Sequence, residues 1–557
     1  LPRKGLEREI LLPLHIPVGT DLITRELLFE EGDALVLDDC FSTARQIWKT
    51  GLFSHVRLRA DSIDEMTTDI KLELRDRLSA APYLALQSGG GVAGVGAGVD
   101  AVNIGGVRVA LDAALRYRTV NSIGWEGTLM LTQDRLWFDS ELRGTLRLAS
   151  NRLRSEQSLR VEVPLDRTSE WFAGGFHLFH AAGNDVVYRS VTGATVAATS
   201  AGTSFLLADA SNARTTPFAS GGAEAYFTMF GRYWEQDFSM TLLAGWQGAA
   251  RESATFRRPL DNAAYFLGSL LLPITDEESI KYSHGLWERE METLPPAQRS
   301  LYVPGFVGRS TIGMNVLSGA DSLARGVRSQ GAFGVTLGGG GFLQSGTYLF
   351  ALAGLHLIGW ERPSPLIWGN GEIQFKMALP LVQSSLQADS TASVPPPLLT
   401  VQASLLGAGR TGQTGFSQII VDNERFLRGY AANAFVGDGR WSWQMEVRNL
   451  PIAQVGRYAL TGTLFWDIAG AWGAATTFNI GRSLAQSGGQ SFGAGLRLRY
   501  PSLTGGLGLL RLDLAYNTSA GRLGQIILST QEAFSLFGAM ERAGSPEIWS
   551  ERRFVEQ

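Results

Sequence analysis

From about residue 82 to 534 the chain repeats one pattern, short runs in which apolar and polar residues alternate. Val109, Leu111, Ala113, Leu115 and Tyr117 alternate with Ala110, Asp112, Ala114, Arg116 and Arg118. Trp441, Trp443, Met445 and Val447 alternate with Ser442, Gln444, Glu446 and Arg448. Leu496, Leu498 and Tyr500 alternate with Arg497 and Arg499, and Leu510, Leu512, Leu514 and Tyr516 with Arg511, Asp513 and Ala515. A period of two sends successive side chains to opposite faces of a strand. A soluble sandwich alternates too, with its apolar face against a second sheet. Here the runs are about ten residues long, as a tilted membrane span requires. Tyr117, Trp125, Trp441 and Tyr500 also fall near run ends, where the aromatic girdles of a barrel sit. These features predict a transmembrane β-barrel.

Residues 5–77 carry more charge and less glycine. Thr20 or Asp21 caps a predicted helix running to Leu28, and Glu31-Gly32-Asp33 reads as a turn. Asp38 or Asp39 caps a second helix, whose apolar positions Cys40, Phe41, Ala44, Ile47 and Trp48 form one face. Gly51 stands where a left-handed C-cap belongs. The runs Val56-Arg57-Leu58-Arg59 and Ile70-Lys71-Leu72-Glu73-Leu74-Arg75 then alternate as half-buried strands do. The whole is a small α+β unit.

Composition narrows the class. The chain has 557 residues, 66 of them Gly and 20 Pro, with no collagen-like period. Its net charge of −4 supplies no electrostatic reason to expect nucleic acid as a partner. A single cysteine, Cys40, excludes an internal disulfide framework. No run of about 18 apolar residues is present, so a membrane-spanning form of this chain must be a closed barrel. Leu1-Pro2-Arg3-Lys4-Gly5 do not resemble a signal peptide.

Catalytic signatures do not occur: there is no G-x-S-x-G, H-E-x-x-H or P-loop pattern. The glycines at 91, 94, 96 and 98 open no helix and lack dinucleotide-site spacing. His177 and His180, three apart on a strand, face opposite sides and cannot share a metal. We expect no enzyme activity and no cofactor.

One polar loop stands out, between 407 and 440, carrying Arg425-Phe426-Leu427-Arg428-Gly429-Tyr430. Further on comes Phe465-Trp466-Asp467-Ile468-Ala469-Gly470-Ala471-Trp472. Alternation there places Leu464, Trp466 and Ile468 on one face, and Thr461, Thr463, Phe465 and Asp467 on the other. A carboxylate facing the interior needs water or a cation.

Together and in this order the two stretches resemble the signature of the BamA/TamA superfamily of outer-membrane barrels, which insert or export polypeptides. The loop motif [VIL]RGY or [VIL]RGF is matched by Leu427-Arg428-Gly429-Tyr430. The strand motif F-x-D-x-G-x-x-W is matched by Phe465, Asp467 and Trp472, with Ala469 where the family prefers Gly. Glu446-Val447-Arg448 matches the family's E-x-R. The first unit resembles a POTRA domain, in its acidic Gly turn Glu31-Gly32-Asp33 and in Gly51-Leu52-Phe53.

The resemblance implies a 16-stranded antiparallel barrel at 79–534, preceded by a POTRA domain at 1–78 and followed by a periplasmic tail at 535–557. About 28 residues per strand with its connection suits short periplasmic turns and longer outer loops. The polar run 274–304 is accordingly expected outside the cell, and 383–398 as a further loop. The resemblance also implies a lumenal loop anchor, in which Arg428 pairs with Asp467, supported by Gly429, Tyr430, Phe465 and Glu446. A planar guanidinium suits that role because it bonds a carboxylate bidentately.

A seam is expected between the first strand, with Gly89, Gly90 and Gly91, and the last, Gly524 to Phe534. Glycines weaken a strand, or they simply relieve crowding and curvature. In the family this seam is a lateral gate. The partners implied are unfolded outer-membrane or secreted polypeptides, the lipid bilayer, and periplasmic chaperones or accessory lipoproteins. A two-partner secretion pore and a passive porin or receptor barrel are the competing readings.

Overall fold

A computed structural model describes residues 15–34, 40, 43–44, 47, 50, 52–62, 68–89, 92–104, 106, 108–119, 123–136, 142–163, 172–188, 213–233, 236–251, 263–271, 309–319, 330–342, 347–360, 366–381, 397–411, 419–421, 426–430, 434–437, 439–456, 458–472, 488–501 and 507–530. Among the described residues, twenty antiparallel strands, from Ala80–Gly89 to Arg522–Ser529, close into one barrel. The expected 16 strands are therefore too few. Allotting the same long stretch to every strand and connection overlooked how tight many turns are: Asn151 is followed by the next strand at Arg154, Tyr233 at Gln236, and Val455 at Tyr458. Strand lengths run from 8 residues in Arg522–Ser529 to 21 in Ala213–Tyr233.

Alternation sorts the side chains as the pattern requires. Leu84 is 67% exposed on the outer wall and Trp125 61%, and Val95, Leu115, Trp443, Leu464 and Ile526 share that wall. Thr461, Thr463, Asp467, Arg497 and Asp513 are buried on the inner face. His177 is buried inside while His180 is exposed outside, on opposite faces of Phe172–Tyr188. Tyr117 and Trp125 pair edge to face on the outer wall, 5.4 Å between ring centroids. Trp441 departs from the girdle expectation, because it is buried.

In the small unit two helical stretches precede two strands. Its helix Thr20–Thr24 is shorter than the run to Leu28, ending where the chain turns through Glu26 to place Leu28 N–H on Thr43 Oγ1 at 3.0 Å. Residues 40, 43, 44 and 47 are helical, with Cys40 and Ile47 buried. The Glu31-Gly32-Asp33 turn has Gly32 at φ 97° and the Glu30 N–H donating to Asp33 Oδ2 at 2.7 Å. Strands Phe53–Ser62 and Thr68–Asp76 pair as a two-stranded sheet. Phe41, Trp48 and Gly51 lie outside the described residues, as does the tail 535–557.

This unit is packed on the barrel. Ile47, Leu52 and Phe53 share a core with Val102 of the second barrel strand, Val92–Ile104. Glu26 reaches Arg108 at 2.7 Å and Arg135 at 3.6 Å, two arginines on barrel turns. The Ile16 N–H donates to Ser79 Oγ at 2.8 Å, just ahead of the first barrel strand.

Because the first strand starts at this unit and each neighbour runs antiparallel, connections fall alternately at the two barrel ends. The strands Ala263–Leu271 and Arg309–Gly319 are joined at the end that holds the small unit. The run 274–304, expected outside the cell, lies outside the described residues.

Candidate functional site: a loop anchored inside the barrel

The loop between strands Leu398–Thr411 and Gly439–Val455 begins and ends in a short hairpin, Ile419–Val421 paired with Phe435–Gly437. Phe426 has φ 90° beneath the Arg440 guanidinium, which stacks 4.2 Å from its ring centroid. Leu427 and Tyr430 then pack with Val421, Ala434, Ala469 and Ala471. Ala469, standing where the family motif has Gly, is part of this apolar seat. Trp472 closes the motif over Gly439, its directly paired neighbour.

Between these apolar contacts Arg428 descends onto the inner wall. Its Nε donates to Asp467 Oδ2 at 2.6 Å and its Nη2 to Asp467 Oδ1 at 2.8 Å. The Arg428 backbone N–H adds a bond to Asp467 Oδ2 at 3.3 Å. The guanidinium carbon lies over Phe465, 3.6 Å from the ring centroid. Both members of the pair are buried. A buried charge requires compensation on every side, and three further strands provide it. Arg428 Nη1 faces Asp513 Oδ2 at 3.4 Å and Glu446 Oε1 at 3.6 Å. Arg497 spans those two carboxylates, at 2.5 Å from Asp513 Oδ1 and 3.0 Å from Glu446 Oε1. Arg511 and Arg448 complete the set, on Asp513 at 2.8 Å and Glu446 at 3.2 Å.

Burial by itself would lower the Arg428 pKa; the carboxylates of Asp467, Glu446 and Asp513 outweigh it and raise the value. The arginine is cationic at every workable pH.

Gly429 and Tyr430 continue the anchor. Gly429 has φ 86°, and a Cβ there would sit 3.1 Å from that of Ala515, so conformation and space both favour glycine. The Tyr430 hydroxyl donates to the Gln490 carbonyl at 3.2 Å and lies 3.0 Å from Ser519 Oγ. Burial pushes its pKa up, which keeps the phenol a donor.

The expected site residues Arg428, Gly429, Tyr430, Asp467, Phe465 and Glu446 thus converge on one place. Arg497, Arg511 and Asp513 were visible in the sequence only as polar members of alternating runs. Register brings them in: Thr461 faces Arg497, which faces Arg511. Asn517 and Gln525 carried no sequence signal.

At the seam, Leu528 pairs with Ser88 and Ser529 with Gln87, and no other pair joins the first and last strands among the described residues. The first strand is described as far as Gly89, which pairs with Val92; Gly90 and Gly91 lie outside the described residues. Gly524 belongs to the loop's seat, because a Cβ there would collide with the carbonyl of Gly429. The last strand ends at Ser529, and Phe534 lies outside the described residues.

No protein-family model matches the chain, and no curated protein does. Among solved structures, it is similar to BamA from Haemophilus ducreyi lacking POTRA domains 1–3, with 12% identity and a TM-score of 0.41 over 92% of this chain and 81% of that one. It is also similar to CdiB from Acinetobacter baumannii, at 9% identity and TM-score 0.40 over 92% and 71% of the two chains. CdiB from Escherichia coli gives 8% identity and TM-score 0.40 over 92% and 73%. Likeness this distant leaves the strand count and the inner-wall network to stand on the chain's own geometry.

Proposed function

We propose that this chain is an outer-membrane barrel of the BamA/TamA kind, which inserts or exports polypeptides. The carrying observation is Arg428, delivered by a Leu-Arg-Gly-Tyr loop and bonded bidentately through its Nε–Nη2 edge to Asp467 on the opposing motif. A passive diffusion pore has no use for a buried arginine of this kind. The outer wall supports a membrane setting: Leu84, Leu115, Trp125, Leu464 and Ile526 are exposed apolar side chains around a barrel with a polar interior. Transfer of an unsatisfied backbone edge into lipid is prohibitive, so a client strand would leave along the seam while pairing with it.

In this reading the small unit acts as a POTRA domain in the periplasm and meets clients first. Client strands pair with the separated seam edges, and neither cofactor nor nucleotide takes part. Quantitative outer-membrane proteomics after depletion of the protein in its native host is the test. Joint loss of many unrelated barrels is expected. Loss of one secreted protein, with other barrels intact, would replace this reading with a dedicated secretion pore. Unchanged protein levels with altered small-solute uptake would remove the polypeptide function altogether.

A further inference from the structure

The anchored loop is bonded to more than the Asp467 wall. Gln525 Nε2 on the last strand donates to the Tyr430 carbonyl at 2.6 Å. Asn517 Nδ2, at the end of the preceding strand Leu507–Asn517, donates to the Gly429 carbonyl at 3.2 Å. Ser519, in the turn joining these two strands, meets the Tyr430 hydroxyl. Ile527 of the last strand packs with Phe465 and Ala515, so it touches the ring on which Arg428 rests.

The local backbone is shaped for this contact. Pairing between the last two strands shifts register between Ala515 and Tyr516, where Gln525 and Leu523 are the respective partners. Gly524 is the residue left over by that shift, and it faces the Gly429 carbonyl too closely for any side chain. A bulge bends a strand and re-aims its side chains. Here it presents Gly524 and Gln525 together to the loop. Across the seam, by contrast, the described backbone pairing is confined to Leu528 with Ser88 and Ser529 with Gln87.

We infer that the Gly429-Tyr430 segment is a brace for the last strand, with Gln525 and Asn517 as positioning residues, so that withdrawing the loop loosens the seam edge. This rests on the reading of the seam as the client exit. It assigns the loop a second role, separate from its anchoring on Asp467.

Two measurements on the full chain, refolded into liposomes, test the brace. In the first, Ser88→Cys and Leu528→Cys are combined in a Cys40→Ser background. Residues directly opposed on neighbouring strands have Cβ atoms about 4.5–5.5 Å apart, near disulfide reach. The disulfide should form several-fold more slowly when Gln525→Leu is added. In the second, hydrogen exchange is followed at 522–529 and at 458–472 in Gln525→Leu and Asn517→Ala. Exchange at 522–529 should rise about tenfold while 458–472 stays protected, the latter also reporting that the barrel has folded. Unchanged exchange at 522–529 would overturn the brace, whether or not the loop itself becomes exposed. Equal loosening of both strands would also overturn it, since that describes general destabilisation. Neither assay measures client insertion, so the brace and the proposed function can fail separately.

Discussion

The two strands that meet at the seam are held from behind in different ways. The last strand is gripped from inside the barrel by the loop, through Gln525, Gly524 and Ile527, and through them by the buried charges around Arg428. The first strand is held from one barrel end by the small unit. There Ile16 is bonded to Ser79, Arg77 forms an ion pair with Asp100, and the core of Ile47, Leu52 and Phe53 includes Val102. One brace is a polar network inside a cavity, and the other is largely a domain interface. Between them the described pairing is confined to the ends of the strands. If the seam is the client exit proposed above, each brace is a separate means of controlling it.

The largest effect should come from the inner brace. Arg428→Glu would set a fourth carboxylate among Asp467, Glu446 and Asp513, where a cation now compensates all three. Breaking a buried pair costs about 3–5 kcal/mol, enough to unseat the loop. Client-insertion activity should fall to background in the reversed variant, and Asp467→Arg should restore part of it. Additive losses in the double variant would mean that the contact is not what the function depends on. Protease cleavage in the loop gives an independent readout, expected to be fast in either single variant and slower in the pair.

Much of this arrangement is legible in the amino-acid pattern. Alternation decides which side of the strand Leu464 and Asp467 face, and both lie as expected, because a period of two admits only two assignments. The meeting of Arg428 with Asp467 came from motif resemblance, since nothing in the spacing of a loop and a strand dictates their contact. What escaped was register and turn length. Arg497 and Asp513 lie on two strands, and their approach to Arg428 depends on how each ladder is staggered. The strand number came from the resemblance, and the pattern offered no correction to it, because a turn as short as that between Asn151 and Arg154 leaves little compositional mark. Gly524 looked like a weak point in a strand, but it is a site of close approach, a distinction that depends on where the Gly429 carbonyl lies.

The outer brace should break with a smaller effect. Glu26 is buried between Arg108 and Arg135, both on turns with left-handed backbone, at φ 55° and 62°. Glu26→Ala removes the shared carboxylate and leaves a buried guanidinium short of a partner, a loss of about 1–3 kcal/mol. Hydrogen exchange in 100–112 and 80–86 should increase, with 522–529 unaffected. Loosening on both sides of the seam would show that the braces are one structure and would end the comparison. Glu26→Gln keeps the volume and one acceptor, and should recover a good part of the protection.

Tyr430→Phe offers the finest probe, because it keeps the ring against Phe435 and removes only the hydroxyl. The bond to the Gln490 carbonyl and the contact with Ser519 disappear, while Gln525 still donates to the main-chain carbonyl of residue 430. A net loss of about 0.5–1.5 kcal/mol follows for a single neutral hydrogen bond. Burial raises the phenol pKa, so this contribution is fully present below the ordinary tyrosine value of about 10 and fades only as pH rises through the folded value. The difference in denaturant midpoint between Tyr430→Phe and the parent should therefore be constant from acid to neutral pH. Exchange at 522–529 should rise less than in Gln525→Leu. If Tyr430→Phe loosened the last strand as much as Gln525→Leu does, the brace would act through the side-chain hydroxyl, and the backbone seat at Gly524 would be incidental.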